Sequence, residues 1–224
     1  MNTTIIGSGV AAWTLVRELR KAAPDAEIRL ITADAGDFYS KPMLSNAFAS
    51  GKTAEALLMT PAAKLAEQQK VELHVQTRAL EIDLNSRTVK TDRGDFVYDQ
   101  LVLGLGADTI KLPIQGDGAA DVISVNDLWD YAEFRKRVDG KSKVAVLGAG
   151  LIGCEFANDL LKANVQTTVF DLADRPLPRL LPPEGSAFMK NALGNQGVEW
   201  KLDRSVTSIE KTGSGYALTD SLGE

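Results

Sequence analysis

One cysteine, Cys154, stands in 224 residues. That excludes an intramolecular disulfide and a Cys-x-x-Cys metal site. One histidine, His74, lies in the strand-like run VELHVQT, away from every motif. Neither a metal-ligand cluster nor a Ser/His/Asp arrangement finds support, and no metal is expected. No apolar run approaches the ~20 residues of a membrane span. Met1-Asn2-Thr3-Thr4 passes straight into a strand pattern, too soon for a signal peptide. Basic runs interleaved with aromatics are missing and the net charge is −5, which argues against nucleic acid as a partner. The expected compartment is a reducing cytoplasm, with no membrane insertion.

What is present is a core-forming composition, 44% apolar and 25% charged, and one motif used twice. TTIIGSGVAAWTL at 3–15 and VAVLGAGLIGCEF at 144–156 share one plan, with Gly7, Gly9 and Ala12 returning as Gly148, Gly150 and Gly153. A β-branched run fits a buried parallel strand. The first glycine of each turn permits the tight bend, and the second lets backbone approach a pyrophosphate. The third small residue lets the helix pack on the strand. The helix N-terminus then offers unpaired N–H groups to phosphate oxygens.

Along the chain the first unit reads as a strand at 3–7, a helix at 10–22 and a strand at 27–32. A loop with a short helix starting at Pro42 spans 33–50, and a helix lies near 61–69. Strands at 71–76, 79–83, 87–91 and 96–98 read together as a β-meander, and LVLGLGA at 101–107 as a further buried strand ending in a glycine turn. The Pro/Gly-rich LPIQGDG at 112–118 looks like a crossing between domains. Asn126 or Asp127 is placed to cap the helix LWDYAEFRKRV. The plan then repeats: strand 143–147, helix 151–163, strand 166–171, a helix near 184–195, and strands near 198–202, 205–210 and 216–219. The expected fold class is α/β, two Rossmann-like dinucleotide-binding folds, each with an inserted or appended β-meander. The expected division is 1–110 and 111–224. Trp13, Trp129 and Trp200 are expected to pack cores or sheet faces.

A carboxylate is needed where an adenosine ribose lies, about 20 residues beyond the glycines. Asp171 ends QTTVFD at that distance, and its charge suits the two ribose hydroxyls of NAD and repels the 2′-phosphate of NADP. It also reads as an ordinary exposed acid at a strand end. In the first copy the nearest acid is Asp34, two positions past RLIT, and backbone at Thr32-Ala33 is an alternative contact.

IIGSGVAAWTLVRELRK, ITADAGDFYSKPMLSNAFASGK, VLGAGLIGCEFANDL and DLADRPLPRLLP together resemble the rubredoxin–NAD reductase subgroup of the two-dinucleotide-fold flavoprotein reductases. The resemblance spans essentially the whole chain and implies FAD in the first fold and NAD(H) in the second. It matches Gly7, Ser8, Gly9, Val10, Ala11 and Ala12 to the turn over the FAD pyrophosphate. Thr32, Ala33 and Asp34 match the segment beside the ribose. Lys41, followed by Pro42, matches a flavin-contacting cation, and Ala79 falls where family backbone touches adenine. Gly104-Leu105-Gly106 stands where the family often writes Ala-Thr-Gly, with Gly106 as the implied contact, and Asn46 where some relatives carry lysine. Gly148, Gly150, Leu151, Ile152 and Gly153 match the NAD turn. Glu155 matches a helix carboxylate facing the flavin–nicotinamide junction. Lys41 and Glu155 are the implied catalytic pair. By themselves, Lys41 reads as a solvated lysine at a helix start and Glu155 as an ordinary helix residue.

The implied activity is passage of electrons from NADH through FAD to rubredoxin or a related small iron-sulfur carrier. The alternatives are a flavorubredoxin or ferredoxin reductase, an NADH oxidase, and a non-catalytic nucleotide-binding fragment. FYSKPMLSNAF holds no cysteine where disulfide reductases of this architecture carry CxxxxC, so no dithiol relay is expected, and Cys154 reads as a small buried thiol. In relatives the chain returns to the first domain with a Gly-Asp pair and then adds a covering C-terminal domain. Because this sequence stops at TDSLGE, the resemblance implies a truncated form that holds NADH better than FAD.

Overall fold

The computed structural model describes residues 1–224. They separate into two compact units, Met1–Ser40 with Glu55–Asp108, and Lys41–Ala54 with Thr109–Glu224. The stretch Lys41–Ala54, contiguous in sequence with the first fold, thus packs in the second unit.

The first unit runs β1 (Asn2–Ile6), α1 (Val10–Ala22), β2 (Glu27–Ile31), β3 (Phe38–Tyr39), α2 (Ala54–Leu57), β4 (Leu58–Thr60), α3 (Ala62–Gln69), β5 (Val71–His74), β6 (Ala79–Asp83), β7 (Thr88–Thr91), β8 (Gly94–Val97) and β9 (Gln100–Leu103). Four of these strands form a parallel sheet ordered β5-β2-β1-β9. Thr3 to Ile6 are all buried because β1 is covered on both faces. Ile5 packs with Trp13, Val16, Leu30 and Leu65, while Ile6 joins Val89 and Tyr98 in a separate cluster, as the two-residue strand period requires. Trp13 is fully buried, and its indole N–H donates to the Gly36 carbonyl at 3.1 Å.

Three differences from the sequence reading follow from how strands pair and turn. Val71–His74 is a parallel partner of β2, outside the meander, because Gln76 takes a φ of 51° and turns the chain, its N–H donating to Asp34 O at 2.9 Å. The antiparallel meander is therefore β6-β7-β8. The run 101–107 turns at Gly104 as expected, its N–H donating to Ile6 O at 2.7 Å, but β9 sits at the sheet edge and is only half-buried, with Leu103 57% exposed. The β3–β4 ladder is too short to leave a periodicity in the sequence.

The second unit runs α4 (Leu128–Val138), β10 (Lys143–Leu147), α5 (Leu151–Lys162), β11 (Gln166–Phe170), α6 (Pro183–Asn195), β12 (Glu199–Lys201), β13 (Val206–Lys211) and β14 (Tyr216–Asp220), with 3₁₀ turns at Lys41–Ser45 and Ala119–Asp121. The parallel sheet is ordered β10-β11-β12, and β13-β14 form an antiparallel hairpin. Ala149, Cys154, Ala157, Val169, Leu177, Leu193 and Val198 make its core. Asp127, not Asn126, caps α4, in a capping box with Asp130. The helix buries Tyr131, Phe134 and Val138. Trp129 lies off that stripe and is 69% exposed, so it packs no core, contrary to expectation. Residues 112–118 are not slack: Gln115 bridges Ser208, and a Cβ on Gly116 would lie 2.2 Å from Ile209 O. Only glycine fits there. No helix is long and apolar enough to cross a membrane.

Candidate nucleotide-binding sites

Each glycine turn follows a parallel strand and opens a helix of the same fold. Gly7 has φ 107° and its N–H donates to Ile31 O at 2.8 Å; Gly148 has φ 113° and donates to Phe170 O at 2.7 Å. Both therefore use a backbone region that favours glycine. The second glycines differ in kind. Gly9 and Gly150 are N-caps in extended backbone, with φ −69° and −72°, which any residue adopts. A Cβ added to either meets nothing within 4 Å. Neither conformation nor the protein's own packing therefore requires glycine at these two positions. Open space of this kind admits close approach of a ligand to the backbone.

The helix ends beside them suit an anion. Neither α1 nor α5 has a side-chain cap or an acidic residue in its first turn, so first-turn N–H groups remain unpaired and their partial charge unopposed. Val10, Ala11, Leu151 and Ile152 are exposed around those N–H groups. The third small positions, Ala12 and Gly153, face inward: Ala12 is buried, and a Cβ on Gly153 would lie 1.9 Å from Gly148 O. The donor set and the open face of both turns fit a dinucleotide diphosphate.

Each turn is also tied to an acid past the second strand. Ser8 and Thr32 hydroxyls both donate to Asp34 Oδ1, at 2.8 and 2.6 Å, and Gly36 N–H joins them at 2.8 Å. Asp171 Oδ2 accepts from Ala149 N–H at 2.5 Å and its Oδ1 from Ala173 N–H at 2.7 Å. Asp34 and Asp171 thus each grip the residue between the first two glycines, through a side chain in one fold and backbone in the other. The exposed Ala33 and Asp34 stand at the end of β2, and Ala79 opens β6 against Thr91. Gly106 is exposed with φ 73°.

Lys41 and the exposed Pro42 lie inside the 3₁₀ turn, which begins one residue earlier than expected. Lys41 Nζ donates to Asn126 Oδ1 at 2.7 Å, while Glu155 accepts the Ser45 hydroxyl. Lys41 and Glu155 thus each bond a neutral side chain of the same unit. Cys154 is buried, and burial, reinforced by the charges of Asp171 and Glu155, pushes its thiol up to about 11. That is the opposite of an activated nucleophile. Ser45, Asn126 and the buried Asp159 escaped the site reading; an acid one turn beyond Glu155 on the helix face was the available signal.

The pyridine nucleotide-disulphide oxidoreductase family profile matches residues 1–224. The chain belongs to this family. It is 40% identical to the rubredoxin-NAD(+) reductase of Alcanivorax borkumensis, over 96% of this chain and 56% of that protein. It is 39% identical to a nitric oxide reductase FlRd-NAD(+) reductase of Aeromonas salmonicida, over 96% of this chain and 55% of that one. Among solved structures, a ferredoxin reductase from Rhodopseudomonas palustris superposes with a TM-score of 0.91 at 28% identity, over 100% of this chain and 55% of that one. The chain therefore spans a little over half the length of the relatives it matches.

Proposed function

We propose that the first fold binds FAD, the second binds NADH, and the chain serves electron transfer from NADH to rubredoxin. The observation that carries this reading is the pair Gly9 and Gly150, glycines whose open space admits a ligand to the backbone, each before an uncapped helix. The α1 and α5 N-termini hold the diphosphates, and Asp34 and Asp171 stand at the two ribose positions. Asp171 keeps turn and ribose site in register because one carboxylate bonds the turn and projects lone pairs beyond it. Its charge favours NADH over NADPH. FAD, when bound, supplies a centre that accepts hydride and returns single electrons. Lys41 provides a cation at the flavin side, and Glu155 bounds the nicotinamide side. The sole thiol of this chain is buried and protonated at neutral pH, so these residues supply no dithiol. The low cysteine usage, one in 224 residues, fits a reducing cytoplasm.

Similarity to both rubredoxin and flavorubredoxin reductases supports a small iron-centred carrier as acceptor. The test is to titrate the purified chain with FAD and NADH. The NADH-reduced protein is then mixed with oxidised rubredoxin, flavorubredoxin, ferredoxin or oxygen in a stopped-flow cell. Fastest reoxidation by rubredoxin is expected. Binding of neither nucleotide would refute the whole reading, and preference for another acceptor would refute only the partner.

A further inference from the structure

Outside the glycine turns, two carboxylates are buried, Asp159 and Asp220, and Asp220 is paired with Arg204 at 2.9 Å. Asp159, on α5 one turn past Glu155, is 5% exposed. Burying a carboxylate is costly unless hydrogen bonds offset the lost hydration. Its Oδ2 accepts two backbone N–H groups, from Phe48 at 2.7 Å and Ala49 at 3.3 Å. Both belong to the stretch Lys41–Ala54 that lies in the second unit.

The same stretch is fixed at further points. Ser45 donates to Glu155. The Tyr131 hydroxyl and the Arg135 guanidinium both reach Lys52 O at 2.9 Å. The Phe48 ring lies edge-on to Phe134 at 5.5 Å, with the Arg135 guanidinium 5.2 Å from its centroid. From Ser45 to Lys52 the chain is a strap pinned to α4 and α5. Lys41 heads it, its amine on Asn126 at 2.7 Å. Of these anchors, only Asp159 places a buried charge against the strap's own backbone.

We propose that Asp159 is a positioning residue: it clamps the Phe48–Ala49 backbone and thereby sets the place of Lys41. The inference rests on the flavin-side role of Lys41 argued above. Because both bonds use one oxygen, geometry and charge can be separated. Asp159→Asn keeps an acceptor oxygen in place without charge. Asp159→Glu keeps the charge on a longer arm. Asp159→Leu removes both.

The experiment compares these variants with the parent on three readouts: hydrogen exchange at Phe48 and Ala49, acylation of Lys41 by an amine-reactive ester with Lys64 as internal reference, and NADH-driven flavin reduction alongside NADH affinity. Asp159→Leu and Asp159→Glu are expected to unprotect both amides and speed Lys41 acylation about five-fold, as ordered hydrogen-bonded contacts are lost. Flavin reduction should fall about ten-fold, with NADH affinity changing less than about two-fold, as a misplaced group affects rate more than binding. Asp159→Asn should match the parent throughout. A defective Asp159→Asn would overturn the proposal, since charge and not the clamp would then matter. So would parental Lys41 reactivity in Asp159→Glu, which keeps the test decisive if the leucine variant does not fold. If the parent shows no NADH-driven flavin reduction, the functional reading fails, and Lys41 acylation still decides the clamp.

Discussion

A methyl group added at Gly7 would lie 2.2 Å from the Gly104 carbonyl oxygen, whereas one added at Gly148 would meet nothing within 4 Å. At the third position the constraint is reversed. The first fold accommodates Ala12, while the second would drive a methyl on Gly153 to 1.9 Å from Gly148 O. The cause is in the sheets. In the first, β9 lies beside β1 and its following turn crowds Gly7; in the second, β10 has only β11 as sheet neighbour, and α5 comes down on Gly148 instead. One backbone motif is thus closed from the side in one fold and from below in the other. Glycine spacing, identical in both, carries no trace of this.

The largest effects should come from breaking those two contacts. Gly7→Ala and Gly153→Ala each force a methyl onto a backbone oxygen, and Gly7→Ala adds a φ of 107°. Each is expected to destabilise its own unit by about 4 kcal/mol, at the upper end for single substitutions. Gly148→Ala, with backbone strain but no clash, should cost about 1–3 kcal/mol. Denaturant melts of the three variants check this, and equal losses at Gly7 and Gly148 would erase the difference between the folds.

Next is the acid that each turn uses. Asp171→Ala removes the acceptor of Ala149 N–H and Ala173 N–H together. NADH affinity should drop by about 1.5–3 kcal/mol, the scale of a lost charged hydrogen bond, with relaxed discrimination against NADPH. Asp34→Ala should weaken FAD and leave NADH untouched. Calorimetric titration of both nucleotides separates the outcomes. Ala12→Gly, the converse of Gly153→Ala, should cost only about 1 kcal/mol, the usual price of glycine in a helix.

The smallest effect concerns Cys154. Its thiol ionises only near 11, against an ordinary 9.0, because burial disfavours the thiolate. Alkylation at pH 8 should be slow and should require local opening. The unfolded chain, with the lower value, releases its proton first, so stability should decline as pH rises from about 9 to about 11. Cys154→Ser should flatten that decline and leave nucleotide binding unchanged.

Much of the fold was legible because it rests on local signals. TTII is buried and VAVL, on an edge strand, is half-covered, Gly7 and Gly148 mark bends, and helices 10–22 and 151–163 emerge within a residue of their observed limits. The elements that misled are those decided by non-local pairing. VELH has the same alternation whether its neighbour is parallel β2 or an antiparallel meander strand, and Gln76 settles the matter through a left-handed bend. Trp129 looked like core because tryptophan usually is; its angular place on α4 decided otherwise. At the candidate site, the bends at Gly7 and Gly148 and the place of Asp171 just past β11 were readable because spacing alone defines them. The partners of Lys41 and Glu155, and the clamp by Asp159, depend on where Lys41–Ala54 docks, and no periodicity encodes that.

The most direct test of the account uses the two glycines that the protein does not need for itself. Gly9→Ala and Gly150→Ala should melt within a few degrees of the parent, because alanine fits the native backbone at both sites and its restriction of the unfolded chain offsets its weakness as an N-cap. Each should lose one nucleotide selectively: Gly9→Ala binds FAD at least about ten-fold more weakly with NADH unchanged, and Gly150→Ala does the reverse, since a methyl now stands between backbone and diphosphate. Parental affinity for both nucleotides in both variants would contradict the claim that these turns are built around dinucleotides.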